Sequence, residues 1–150
     1  MNIKEVMQHI EDRDLPCVSE NSDLNDVIKV VVRFPHARCV YVLDEQKKLL
    51  GVITIDSLMR HLYPYHYEVK IHPRGILRNI TAEKAVHIMS RENVNVSPDE
   101  TVDDVLKRMA STGAKEISVI DSSGCLLAEI TAGDLLKYYQ LQGSVEKKNG

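Results

Sequence analysis

The sequence predicts an α/β (α+β) protein built from two tandem β-α-β-β-α repeats with pseudo-two-fold symmetry, sheets packed together and helices outside. Three observations predict it. The first is a repeat in register: VSENSDLNDVIKVVV (18–32) lies over VSPDETVDDVLKRMA (96–110) at an offset of 78, and RCVYVLDEQKKLLGVITIDSL (38–58) over KEISVIDSSGCLLAEITAGDL (115–135) at 77. Val18/Val96, Asp26/Asp104, Val27/Val105, Asp44/Asp121, Leu50/Leu127 and Thr54/Thr131 coincide. The second is that both copies run through the same order of strand-like and helix-like periodicities. The third is size and composition. The chain has 150 residues, 43% apolar and 27% charged, as an ordinary globular protein does. A unit of about 60 residues buries little surface alone, so two copies are expected to share a core.

The boundaries follow from the register: repeat 1 over 1–60, a connector over 61–80, repeat 2 over 81–141, and a polar, flexible tail over 142–150. Each repeat opens on a short apolar strand, Leu15 to Val18 and Val94 to Val96. A capping cluster comes next; in the second copy it is Ser97-Pro98-Asp99-Glu100-Thr101, with Thr101 and Asp104 at capping-box spacing. Leu24, Val27, Ile28 and Val31, and again Val102, Val105, Leu106 and Met109, then keep the spacing of an amphipathic helix. Two strands joined by a turn follow, with Glu45-Gln46-Lys47 and Ser122-Ser123-Gly124 at the turns. The last helix starts at Thr54 or Thr131 and carries Leu58, Met59 and Leu62, or Leu135, Leu136 and Tyr139. A further helix is expected before each first strand, over 2–11 and 82–90.

A formal charge of −3 lacks the basic excess that nucleic-acid binding needs. No run of about 18 apolar residues is present, so no membrane insertion is expected. MNIKEVMQHI has no signal-peptide core, and Cys17, Cys39 and Cys125 are dispersed without a CxxC pair. Both suit a reducing, cytoplasmic setting.

The MSRENVNVSPDETV stretch (89–102), the SVID strand end (118–121) and the EITAGDLL stretch (129–136), together with the order of elements, resemble a cystathionine-β-synthase (CBS) domain. Two in tandem are similar to the family's paired arrangement, the Bateman module. The resemblance covers nearly all of the chain except the connector and the tail. It implies a regulatory module that binds adenine nucleotides in clefts between the repeats and has no catalysis of its own.

Thr131 and Asp134 read first as a helix start, with Thr131 as the cap and Asp134 at the positive end of the helix dipole. A carboxylate at that place also suits both hydroxyls of a ribose, and the family pattern G-h-h-T-x-x-D (h apolar) points the same way. Ala128 and Glu129 depart from its glycine and an apolar position. Copy one keeps Gly51 and Thr54 but has Ser57 where the acid belongs; Asp56 lies one residue early, about 100° around the helix. Without that charge-assisted bonding the first cleft should be weaker by an order of magnitude or more. The resemblance places the base against backbone at Asn95 and Val96 with Ile117 and Ser118, and in the other copy at Cys17 and Val18 with Val40 and Tyr41. Ser118 and Tyr41 stand where the family often has proline. Tyr41 is read either as a stacking partner or as a packed ring. Lys115 and Arg38 are read either as phosphate partners or as solvated charges.

The connector HLYPYHYEVKIHPRGILRNI (61–80) departs from the family's short link. His61, His66 and His72 lack the acids and the tight spacing of a metal site, so no metal is expected; a cover over one cleft or a partner contact is the expectation. His72 and Arg74 are further possible phosphate contacts. The expected function is an adenine-nucleotide sensor (AMP, ADP or ATP, with S-adenosylmethionine open) that needs no cofactor, forms a homodimer and acts on an unidentified protein. The alternative is a dimerising scaffold whose clefts are degenerate. No nucleophile–base order, paired acids or P-loop supports an enzyme.

Overall fold

Asp23 and Asp26 begin the first long helix with a reciprocal capping box: each side chain accepts the other's backbone N–H, at 2.8 and 3.1 Å. The computed structural model of the chain describes residues 1–10, 13–67 and 83–149. The elements are α1 (Ile3–Gln8), β1 (Cys17–Ser19), α2 (Leu24–Arg33), β2 (Cys39–Leu43), β3 (Leu49–Thr54), α3 (Ile55–Tyr67), α4 (Ala85–Ile88), β4 (Asn95–Val96), α5 (Val102–Thr112), β5 (Glu116–Ile120), β6 (Leu126–Thr131) and α6 (Ala132–Asn149). Thr101 caps α5 by accepting the Asp104 N–H at 3.2 Å.

The strands form two three-stranded sheets, β1-β2-β3 and β4-β5-β6. In each, the first pair is parallel and the second antiparallel, and both antiparallel pairs shift register at the same place, Val42/Leu43 and Val119/Ile120. The turns repeat as well. Asp44 Oδ1 accepts from the Gln46 and Lys48 amides, and Asp121 Oδ1 from those of Ser123 and Cys125. The β-α-β-β-α order expected from the repeat is therefore the observed order, twice.

Two compact units result: residues 15–93, and residues 1–14 with 94–150. Each has its own core. Val18, Leu24, Val27, Val40, Val42, Ile53, Leu58 and Ala85 form one. Ile3, Val6, Val96, Val102, Val105, Met109, Ile117, Val119, Ile130, Leu135 and Tyr138 form the other. These compact units cross the repeat boundaries, because the helix preceding each repeat packs with the other repeat. The Ile3 and Lys4 amides donate to Glu100 O and Pro98 O, both at 2.9 Å; the Ala85 and Val86 amides donate to Ser22 O and Glu20 O at 2.7 and 3.3 Å. Periodicity marks an apolar face but does not say which sheet will cover it.

Helix also runs past two of the expected repeat ends. Residues 61–67 of the expected connector continue α3, and the expected flexible tail continues α6 as helix to Asn149. The rest of the connector, 68–80 with His72 and Arg74, lies outside the described residues.

Candidate ribose and base half-sites

The start of α6 is built from the strand that feeds it. The Ala132 amide donates to Lys115 O at 2.8 Å, which pins the first helical residue to the beginning of β5. Thr131 Oγ1 then accepts the Asp134 N–H at 3.1 Å, and Asp134 Oδ2 accepts the Thr131 N–H at 2.9 Å. The pair is a reciprocal capping box, so the helix-start reading holds. In the other unit the same joint is made by the Ile55 amide on Arg38 O at 3.0 Å and by the Ser57 amide on Thr54 Oγ1 at 3.1 Å. Ser57 thus occupies the helical position of Asp134, and the first copy has a threonine cap without the carboxylate.

Asp134 has a further partner that sequence reading missed. Arg13 donates through Nη2 to Asp134 Oδ2 at 2.5 Å and to Glu129 O at 3.3 Å. Burial works against ionisation of Asp134. The backbone bond from Thr131, the bond from Arg13, the side-chain bond with Thr131 and the charge of Arg13 outweigh it, so the carboxyl lies below its ordinary range. Arg13-Asp14 lies over Arg91-Glu92 at the offset of 78, but nothing in that alignment ties Arg13 to Asp134.

Asn95 pairs with Ser118 across β4 and β5. The Ser118 hydroxyl, in a residue only 2% exposed, donates to Val94 O at 3.3 Å and Asn95 Oδ1 at 2.5 Å. Arg108 donates to Asn95 O at 3.1 Å and pairs with Glu100. Val96 and Ile117 are buried, as are Val18 and Val40 of the other copy, so their side chains belong to the cores and only backbone could face a ligand. Tyr41 is 2% exposed, which makes it a packed ring. Lys115 and Arg38 are exposed at matching ends of β5 and β2. Asn95, Val96, Lys115, Ile117, Ser118, Thr131 and Asp134 all fall within one unit; Val18, Arg38, Val40, Tyr41 and Thr54 fall within the other. Among the described residues no group of three or more His, Cys, Asp and Glu side chains could hold a metal ion.

The departure of Ala128 from the family's glycine has a packing explanation. A Cβ at Gly51 would lie 2.6 Å from Ser90 O and 2.9 Å from Met89 Sδ. Residues 89 and 90 run so close there because Val52 and Ser90 exchange backbone hydrogen bonds at 2.9 and 2.8 Å. Gly51 is required by a crossing segment, and Ala128 packs against the core of its own unit. Glycine at position 51 is therefore set by backbone crowding.

The CBS domain model matches this chain over residues 3–64 and 83–141. The chain is 25% identical over 140 residues to the uncharacterized protein MJ1426 of Methanocaldococcus jannaschii, covering 80% of this chain and 83% of that one. Among solved structures it is similar to a CBS domain-containing protein of unknown function from Bacillus anthracis, with a TM-score of 0.74, 16% identity and 93% of each chain covered. It is also similar to CBSX2 in complex with AMP, with a TM-score of 0.71, 15% identity, and 95% of this chain and 98% of that one covered. The cytosolic domain of the Mg2+ channel MgtE in complex with ATP matches with a TM-score of 0.62 and 24% identity, over 83% of this chain and 44% of that one.

Proposed function

Because the chain belongs to the CBS-domain family, we propose that it is a regulatory module that binds an adenine nucleotide (AMP, ADP or ATP) and catalyses nothing itself. The observation that carries this reading is the Thr131–Asp134 box, an ionised, partly exposed carboxylate at a helix start. Two related folds, CBSX2 and the MgtE cytosolic domain, hold AMP and ATP. In this reading Asp134 accepts from both ribose hydroxyls and Lys115 meets the phosphate. The backbone at Asn95, Val96, Ile117 and Ser118 takes the base. Val18, Arg38, Val40, Tyr41 and Thr54 form the weaker counterpart, because Ser57 supplies no charge.

Calorimetry with AMP, ADP, ATP and S-adenosylmethionine tests the proposal. One dominant site per chain is expected, and Asp134→Ala should weaken it by roughly 2–4 kcal/mol, the strength of charge-assisted bonds to two hydroxyls. Wild-type binding retained by Asp134→Ala would reduce the carboxylate to a helix cap.

We place the protein in the cytoplasm, where its three dispersed cysteines stay reduced, and assign it a homodimer with an output on another protein. The exposed apolar side chains of Met59 (62%) and of its counterpart Leu136 (61%), with Tyr139 (63%), support self-association. Light scattering should give about twice the 17.0 kDa of the chain. The same faces favour a second reading, a dimerising scaffold, for which no nucleotide in the panel would bind.

A further inference from the structure

Arg13 is the feature of the Asp134 half-site that the nucleotide reading leaves without a role. Its guanidinium holds the same carboxylate oxygen, Oδ2, that already accepts the Thr131 amide, while Oδ1 takes part in neither bond. A carboxylate that grips a ribose diol needs acceptor positions on both oxygens. With a guanidinium nitrogen on one of them, the diol and the arginine compete for a single group. The pair is partly solvated, with side chains 40% and 21% exposed, so it is weak enough for two hydroxyl donors to replace.

Its position in the chain adds to this. Arg13 is the last residue but one of the N-terminal segment that packs with 94–150; from Leu15 the chain belongs to the other unit. The matching return lies between Asn93 and Val94, and the arginine aligned with Arg13 there is Arg91. The acid aligned with Asp134, however, is replaced by Ser57. The arginine is present in both copies, and the carboxylate for it in one.

We propose that Arg13 is an intramolecular competitor for Asp134: a nucleoside entering the half-site displaces the guanidinium. This rests on the assignment of Asp134 to a ribose. The half-site's affinity is then set below what its carboxylate alone would give.

Adenosine, which is uncharged, is the probe, titrated by calorimetry into the full chain at low and at high salt. Arg13→Gln should tighten adenosine about two- to fivefold, the range of an exposed ion pair. Raised salt screens the competing pair, so it should tighten adenosine for the wild type and leave Arg13→Gln unchanged. An arginine with only a structural role would not produce that salt dependence, because the probe has no charge to screen. Adenosine affinity that is unchanged or lower in Arg13→Gln, or independent of salt in the wild type, overturns the competition. The nucleotide reading survives that outcome if Asp134→Asn loses adenosine while the parent binds it. If neither adenosine nor AMP binds any of the three proteins, both readings fall. Should Arg13→Gln not fold, the wild-type salt titration decides alone.

Discussion

Asp134 serves the Thr131 amide and the Arg13 guanidinium with one oxygen, and that sharing governs how stability should respond to acid. Its folded pKa is depressed, so the sign is that of a stabilising carboxylate. The contribution is complete above the ordinary value of 3.8 and is lost as pH falls through the lower folded value. Asp134→Asn should therefore melt below the wild type at neutral pH, and the gap should close as pH falls below about 3.8. A gap that stays constant down to strong acid would show that the charge contributes nothing. The Thr131–Asp134 half of this arrangement was legible in the sequence, because a cap and its third helical residue are local and follow a strand. Arg13 was not, because it lies 121 positions from Asp134 and reaches it only through the packing of the N-terminal segment.

At the scale of elements, the repeat makes one copy a control for the other. The β2–β3 and β5–β6 turns have the same aspartate bonding, yet Lys47 stands at φ 65° where Gly124 stands at φ 88°. A side chain in the left-handed region costs roughly 1–2 kcal/mol, and glycine's extra freedom in the unfolded chain returns about 0.5–1 of that. Lys47→Gly should thus raise stability by up to about 1 kcal/mol in denaturant unfolding; a loss of stability would mean that the turn is not strained. The other glycine position gives the opposite sign. Gly51→Ala drives a methyl into the Ser90 carbonyl oxygen, which is backbone and cannot swing away. It should cost about 1–3 kcal/mol, the usual scale for overpacking, while Ala128→Gly in the other copy should cost less than that. Strand and helix order were readable here because each element has its own period. The use of Gly51 was not, because the segment that crowds it comes from residues 89 and 90, beyond the connector.

For the whole molecule, the consequence of greatest reach is that contiguous repeats and compact units differ. The duplication in the sequence correctly implied two equivalent sheets, but α1 is covered by the second repeat and α4 by the first. Local patterning could not show this exchange, since an apolar face is satisfied equally well by either sheet. Deleting residues 1–10 separates the two descriptions. Ile3 and Val6 are fully buried in the core that holds Val102, Val105 and Leu135. Removing them forfeits roughly 1.5–3 kcal/mol each, a large part of an ordinary domain's stability. It also removes the amides that satisfy Glu100 O and Pro98 O, and the Met1 carbonyl that accepts the Val102 N–H. The damage should therefore appear far from the cut in sequence. Amide hydrogen exchange should accelerate in β5, β6 and α5, while β2, β3 and α2 keep more of their protection. If the repeats folded as contiguous segments, the pattern would be reversed, with β2 and β3 losing protection first.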